Sequence, residues 1–465
     1  MIFRIDVYGA ALLRIALGCV VLLDLADRLF FNAGATDLVS FEQLREWGLV
    51  NEHWLTVHTS LGVYAVHGVA CVALTLGVAS NVACAIVWVL SLSLQARNST
   101  VGYGADVLLL QVLMIACFLP LGSVWSVDAW RRGPPQSLHA SRAATLAFVV
   151  QLAMMYSFSA SHKLVFADDW WTDATALSSA LRLRYFASPS LAPSLLKLQP
   201  LLAQATRVSL IWEAGGWLML LIPHEAARAL FVVTNLLFHL GIGFTLDVGL
   251  FAHVCIAATL AFTPWQLLFS DCPVRGDAAT TRRSSSMLAV FAQGLLLSVV
   301  SLSFLINVRE VPFLSRTFAP ATDLLKVQPQ LEVVANILQL KQYWSMFDRV
   351  PRQNVQHIVT GTVLGMRVEL FPLTGNMRKD PGRLGAADFT HAGMHERLGG
   401  QRWLKFFEHT HTEHGRRFEL IEAFLKWTCL RFPQANLLTF EVAKQSTDDL
   451  ADVSQQRLFR NHVCA

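Results

Sequence analysis

The chain has 465 residues, of which 54% are hydrophobic and 15% charged, and its formal net charge is +4. A soluble domain carries about 25% charged residues, so this deficit excludes an ordinary core-and-surface protein and suits one whose outer surface faces lipid. The small net charge leaves no strongly basic face for nucleic acid, and the 13 Trp and 29 Phe suit rings that anchor helix ends at the headgroups.

Taken in chain order, long apolar runs centre on residues 8–28, 55–78, 80–96, 106–122, 143–161, 208–223, 228–246, 250–269 and 287–306. Most reach the ~20 residues needed to cross the hydrocarbon. Each must be helical, because lipid offers an unpaired amide no partner. The first run is long and leads into others, so it reads as a retained anchor and not a cleaved signal. Only a small polar turn at Ser80-Asn81 separates the second run from the third, so a count of eight or ten fits the same pattern.

From about residue 307 the character changes. Val355–Val363 and Met366–Phe371 alternate as strands, Gln401–His409 and Arg416–Cys429 read as amphipathic helices, and Asn436–Val442 reads as a closing strand. The expected fold class is therefore an all-α polytopic membrane bundle of about nine transmembrane helices (1–306) followed by a smaller soluble α+β domain (307–465).

Orientation follows from basic loops. Arg131, Arg132, Arg142, Arg228, Arg275, Arg282 and Arg283 all fall on the N-terminal side of a nine-span bundle, which makes that side cytoplasmic. Lys163, Arg182, Arg184, Lys197 and Arg207 in the opposite 162–207 loop weaken the asymmetry. The expected location is the cell (inner) membrane, with the tail outside, where Cys429 and Cys464 could form a disulfide. Cys19, Cys71, Cys84, Cys117 and Cys255 lie in apolar runs as small hydrophobes, and no CxxC pair occurs.

An ionisable group near the bilayer centre costs at least ~2.5 kcal/mol, so the few present are informative. Arg14, Asp24 and Arg28 lie on the first span, Arg97 and Asn98 end the third, and Asp106 opens the fourth. His162 and Lys163 end the fifth, Glu213 is in the sixth, His239 is in the seventh, and Asp247 ends it. Alternating spans place most of them in the outer half of the bilayer, the pattern of a polar cavity opening outward. Against this, Asp24 and Arg28 are one turn apart and can simply pair. Arg97, Asp106 and Lys163 can mark the headgroup boundary, with Lys163 snorkelling. Glu213 and His239 lie deeper, where function is favoured.

A lysine drawn into an apolar cavity loses hydration, which disfavours its ammonium form and lets the amine act as a base. His239 suits orienting a substrate oxygen or relaying a proton, and Glu213 suits holding either in place. The candidate catalytic residues are thus Lys163, His239 and Glu213. Arg97, Asn98, Asp106, His162 and Trp212 are the candidate pocket residues.

Several segments resemble a known family. Gln95-Ala-Arg-Asn98, Gly104-Ala-Asp106, Phe118-Leu-Pro-Leu-Gly122 and Trp125-Ser-Val-Asp128 resemble the HTTM (horizontally transferred transmembrane) domain. Vitamin K-dependent γ-glutamyl carboxylases and many bacterial proteins share that domain. Ser159-Ala-Ser-His-Lys163-Leu with Trp170 or Trp171, Trp212-Glu213, Leu237-Phe-His239, Gly249-Leu-Phe251 and Pro264 continue the likeness in order. Gln342-Tyr-Trp344-Ser-Met-Phe347 resembles a segment of bacterial members with an extracytoplasmic tail.

The resemblance implies an enzyme that oxidises a lipophilic hydroquinone, reduced vitamin K or a menaquinol, to its epoxide. It also implies coupling to carboxylation of glutamate in an exported peptide. Lys163 matches the lysine that serves there as base, and His239 matches the family's histidine on a later span. Here the lysine segment reads His162-Lys163 where the carboxylases carry a paired lysine, and the tail is shorter than their lumenal part. Quinone chemistry therefore carries over more directly than carboxylation.

The remaining motifs are weak. His409, His411 and His414, with Glu408 and Glu413, read as a solvated polar patch before a metal site, since 411 and 414 share a helix face and 409 does not. Asn98-Ser-Thr100 fits a glycosylation sequon. Phosphate loops and a G-x-S-x-G elbow are absent, so neither ATP nor a metal is expected. The competing class is a non-enzymatic maturation or assembly factor for a secreted peptide. A transporter is disfavoured because neither repeated halves nor paired broken helices are visible.

Overall fold

The computed structural model describes residues 5–31, 61–133, 135, 139–265, 287–311, 314, 317–318, 329–370, 401–412 and 417–464. Each of the nine apolar runs contains a helix. In order these are α1 (Val7–Ala26), α2 (Leu61–Leu76), α3 (Ser80–Arg97), α4 (Gly104–Ala116), α5 (Arg142–Phe166), α6 (Gln199–Gly215), α7 (Glu225–Thr245), α8 (Phe251–Leu260) and α9 (Met287–Asn307).

Among the described residues, five helices are long and apolar enough to cross a membrane: Val7–Phe30, Ser80–Arg97, Arg142–Phe166, Glu225–Thr245 and Met287–Asn307. The other four runs hold shorter or interrupted helices among the described residues, so the count of about nine spans is not established by helix length. Helix α4 ends before a turn containing Pro120, and α8 ends before Pro264, where a missing N–H stops the hydrogen-bond ladder. The sixth run is broken, with α6 giving way at Gly216 to a 3-10 segment, Gly216–Leu221. Residues 55–60, the start of the second run, lie outside the described part.

The turn between α2 and α3 shows how a polar group organises a tight connection. Gly77 (φ 75°) and Ala79 (φ 45°) are both left-handed. A Cβ on Gly77 would sit 1.5 Å from Nη1 of the fully buried Arg14, so only glycine fits there. Arg14 Nη2 donates to the Trp125 carbonyl at 2.5 Å. Asp128 accepts from Ala79 N at 3.0 Å and from both Ser80 N and Ser80 Oγ at 2.8 Å. These bonds cap the start of α3 from the short helix Val127–Arg132 and offset the unfavourable backbone angles.

The starts of α1, α5 and α7 lie together. Ala140 N donates to Ile5 O at 2.9 Å, and Arg228 Nη2 meets Asp6 Oδ2 at 3.4 Å. The opposite ends of α5 and α7 meet the tail region. Asp247 N donates to Phe186 O at 2.6 Å, the Phe186 and Phe347 rings are 5.4 Å apart, and Trp170 Nε1 donates to Phe347 O at 2.7 Å.

After α10 (Pro329–Ile337) the chain forms a four-stranded antiparallel sheet in the order β2-β1-β3-β4. Its strands are β1 (Gln353–Val363), β2 (Met366–Glu369), β3 (Ala435–Ser446) and β4 (Val453–Val463). The strand expected to close the domain is an inner one. Its outer neighbour β4 (VSQQRLFRNHV) escapes sequence reading because its many polar residues hide any apolar alternation. Helices α11 (Gln401–Thr412) and α12 (Arg417–Arg431) cover the sheet with Trp403, Phe406, Phe407, Phe424 and Trp427 packed against Phe440. A Cys429–Cys464 disulfide ties α12 to the end of the chain just beyond β4.

One side chain fastens this domain to the bundle. Arg402, fully buried on α11, pairs through Nη2 with Asp24, and it reaches Asp106 Oδ1 at 3.0 Å and the Val101 carbonyl at 3.3 Å. Arg28 completes the cluster, with Nε 3.0 Å from Asp24 Oδ2 and Nη2 3.2 Å from Asp106 Oδ1. Asp24 and Arg28 therefore do pair one turn apart, but within a larger group to which the tail adds Arg402, whose Nε also lies 3.6 Å from Asp27 Oδ2. Breaking a buried pair by removing one partner costs ~3–5 kcal/mol, because the other charge is stranded. Arg402→Met should lower the detergent-state thermal midpoint sharply, whereas the exposed Lys426→Met should leave it nearly unchanged.

The Asp128 contacts predict an acid response. Desolvation pushes its carboxyl up, but the hydrogen bonds from Ser80 and Ala79 outweigh it and hold the group below the usual value of 3.8. A lowered folded value means this stabilisation is complete above the ordinary carboxylate range and is lost as pH falls through the folded value. Thermal midpoints from pH 6 downward should show the advantage of wild type over Asp128→Asn shrinking in acid.

Candidate functional site

The residues that carry the candidate site come from α5, α6 and α7. On α5, Tyr156, Ser159 and Lys163 follow one another at helical spacings of three and four, so they share one face. On α6, Trp212 and Glu213 are neighbours and reach in two directions. Glu213 points to α5, and Trp212 points to α7.

Lys163 is 4% exposed, and its Nζ lies 2.7 Å from Glu213 Oε1 and 2.5 Å from Oε2. Ser159 Oγ donates to Glu213 Oε2 at 3.3 Å. The Trp170 ring covers the ammonium, its centroid 4.3 Å from Nζ, and the indole is held by its bond to the Phe347 carbonyl. A cation over an aromatic face is favourable, more so when desolvated. The Gln342-Tyr-Trp344-Ser-Met-Phe347 segment thus closes the lysine site from the tail. Gln342 itself anchors the segment, accepting from Gln151 Nε2 at 2.6 Å and donating to Ser303 Oγ at 2.9 Å.

His239 belongs to a second, adjoining network. Its Nε2 lies 2.7 Å from the Tyr156 hydroxyl, which donates to Asn235 Oδ1 at 3.0 Å. Trp212 Nε1 donates to the same oxygen at 3.0 Å, and Asn235 Nδ2 donates to Thr259 Oγ1 at 2.6 Å. Trp212 can lie in this position because Gly216 has no side chain, since a Cβ there would meet the indole at 2.7 Å. His239 Nδ1 is buried without a hydrogen-bond partner among the described residues. The Phe238 and Phe251 rings stand edge-on to the imidazole, with centroids 5.0 and 6.1 Å away.

The expected site residues therefore divide. Lys163 and Glu213 are brought into direct contact, and Trp212 links them to the His239 network. Asp106 sits instead in the Asp24–Arg28–Arg402 cluster. Asn98 is used locally, its Oδ1 accepting from Thr100 N at 3.1 Å and Thr100 Oγ1 at 2.7 Å, and Arg97 is buried beside it at the end of α3. His162 is half-buried and stacks on Phe166 at 5.6 Å, away from Lys163. Among the described residues, the Lys163–Glu213 pair and the Asp24–Arg28–Asp106–Arg402 cluster are thus separate ion-paired groups.

Tyr156, Asn235 and Thr259 escape a search for ionisable groups because they are uncharged. The available signal was spacing, since Asn235 is one turn before His239 and Tyr156 two turns before Lys163. Among the described residues no group of His, Cys, Asp and Glu could hold a metal. The side chains of His409 and His411, and all of Glu413 and His414, lie outside the described part.

Fold and site together define a predominantly helical protein whose long apolar helices suit a membrane and which buries a lysine–carboxylate pair beside a histidine network. A family model described as HTTM domain matches residues 4–266, more than half of the chain, and the chain belongs to that family. No curated protein and no solved structure matches it.

The Lys163–Glu213 pair predicts a non-additive mutational pattern. Glu213→Gln strands a buried ammonium and should cost ~3–5 kcal/mol. Lys163→Met with Glu213→Gln removes both charges and should recover much of the loss, measured against the two single variants as a coupling energy in a double-mutant cycle on thermal unfolding.

Proposed function

We propose that this protein is an integral membrane enzyme that acts on a lipophilic hydroquinone of the reduced vitamin K or menaquinol type. In this reading Lys163 is the base, Glu213 its proton partner, and His239 an acceptor for the ring hydroxyl. The observation that carries it is a desolvated amine–carboxylate pair beside a buried histidine whose Nδ1 meets no donor among the described residues. Moving one proton from Nζ to a Glu213 oxygen, over the short contacts described, leaves a neutral amine able to accept a proton. The surroundings suit a flat ring: Phe238 and Phe251 stand beside His239, and Trp170 covers Lys163. A bound hydroquinone would supply the reducing equivalents for reaction with oxygen, and the protein's part is to exclude water, orient the hydroxyl and take up its proton.

Formation of the epoxide, and its coupling to carboxylation of glutamate in an exported peptide, extend this reading by family resemblance. Neither ATP nor a metal enters it. We place the 1–306 bundle across the cell (inner) membrane in nine passes, with the N-terminus cytoplasmic and the 307–465 domain outside. The grouping of α1, α5 and α7 starts opposite the tail supports this sidedness. So does the tail disulfide, since such bonds persist in oxidising compartments.

One observation favours the second reading, a non-enzymatic maturation factor for a secreted peptide. All of Lys163 is engaged, with two contacts to Glu213 and the Trp170 face over it, as in a purely structural pin. One assay separates the two. Purified protein is given reduced vitamin K or menaquinol with oxygen, and epoxide is measured for wild type and Lys163→Ala. A general base contributes ~100-fold or more, so the variant should fall by at least that factor while remaining folded. Wild-type protein without turnover on any quinol supports the maturation factor.

A further inference from the structure

We propose that a hydrogen-bond relay from Trp212 through Asn235 and Tyr156 holds the His239 imidazole as its Nε2–H tautomer, so that Nδ1 is presented as the acceptor for a ligand hydroxyl. The ligand half rests on the hydroxylated-ring reading above. The relay half stands on the chain alone.

Each proton in the relay is fixed by the one before it. An indole N–H only donates, so the atom of Asn235 that faces Trp212 Nε1 at 3.0 Å is the amide oxygen. The amide nitrogen then points to Thr259 Oγ1 at 2.6 Å, which receives it while giving its own proton to the Cys255 carbonyl at 2.7 Å. With Asn235 so oriented, its Oδ1 also faces the Tyr156 oxygen at 3.0 Å. Two oxygens at that separation need a proton between them, and only the tyrosine has one. The tyrosine hydroxyl is thereby used, so the 2.7 Å contact with His239 Nε2 requires the proton on the histidine. A neutral imidazole carries one proton. Nδ1 is therefore a bare lone pair.

That lone pair is buried, on a residue 1% exposed, with no donor among the described residues. Leaving a buried acceptor unmet is costly, and three other side chains hold it in that state. Such an arrangement suits an acceptor held ready for a donor that arrives with a ligand. A hydroxyl on an aromatic ring supplies that donor, and a carbonyl or ether at the same place does not. Tyr156, Asn235 and Trp212 are then positioning residues, which act through the histidine and do not touch the ligand.

The full-length protein, labelled with 15N histidine, tests the relay directly, because a protonated ring nitrogen and a bare one differ widely in chemical shift. The His239 signals are identified by their loss in His239→Asn. Wild type should show Nε2 protonated and Nδ1 bare, and Tyr156→Phe should give a mixture of tautomers. Protonated Nδ1 in wild type, or a tautomer unmoved by Tyr156→Phe, overturns the relay.

Binding of 1,4-naphthohydroquinone and of its dimethyl ether, without oxygen, tests the acceptor. An asparagine amide oxygen can stand where Nδ1 stood, whereas glutamine reaches only the Nε2 position. His239→Asn should stay within about threefold of wild type, and His239→Gln should lose about tenfold, the size of one hydrogen bond. The ether should bind all three equally weakly. Equal hydroquinone affinity for wild type and His239→Gln overturns the acceptor role and assigns Nδ1 to a buried water. If the tautomer is as stated but neither ring binds wild type, the hydroquinone reading fails and the relay survives. If hydroquinone binds but the tautomer is mixed, the relay fails and the reading survives.

Discussion

The constraint on which this structure depends is the cost of a charge away from water. An isolated ion in a low-dielectric interior is so unfavourable that it must be paired, hydrogen-bonded or neutralised. Every deeply placed ion pair described above answers to that rule. Asp24 and Asp106 are met by Arg28 and Arg402, Lys163 by Glu213, and Asp6 by Arg228. Because the partners come from distant parts of the chain, satisfying the charges also fixes the packing of the helices.

The tail is therefore more than an appendage. Arg402 supplies a second positive charge, beside Arg28, to the Asp24 and Asp106 carboxylates. The Gln342–Phe347 segment inserts between helices, and its Phe347 carbonyl holds the tryptophan that covers Lys163. The lysine environment is thus set by residues almost two hundred positions away.

Within the bundle, α6 has a particular role. Its adjacent Trp212 and Glu213 diverge to two neighbouring helices, so one short piece of helix joins an ion pair to a network of neutral hydrogen bonds. The break at Gly216 is part of this design, because only a glycine lets the indole fold against its own helix end. Chemistry at the amine and orientation at the imidazole would be coupled through this piece of backbone.

Composition and apolar runs by themselves determined the membrane character, the position of each helical run, the change to a mixed α and β tail, and most of its strands, because burial in lipid and period-two alternation leave a direct mark on residue order. They also singled out Lys163, Glu213 and His239, since charged residues in apolar runs are rare enough to see. Tertiary structure alone decided which of these meet. Asp106 and Lys163 look alike as boundary residues in the sequence but belong to separate clusters, and Arg402 looks like a surface residue of an amphipathic helix yet is fully buried. Pairing is a property of distances across the fold, and helix order on a line carries no information about them. The neutral residues Tyr156, Asn235 and Thr259 were hidden for a related reason: an uncharged polar side chain costs a span little until the partner that it must meet is known.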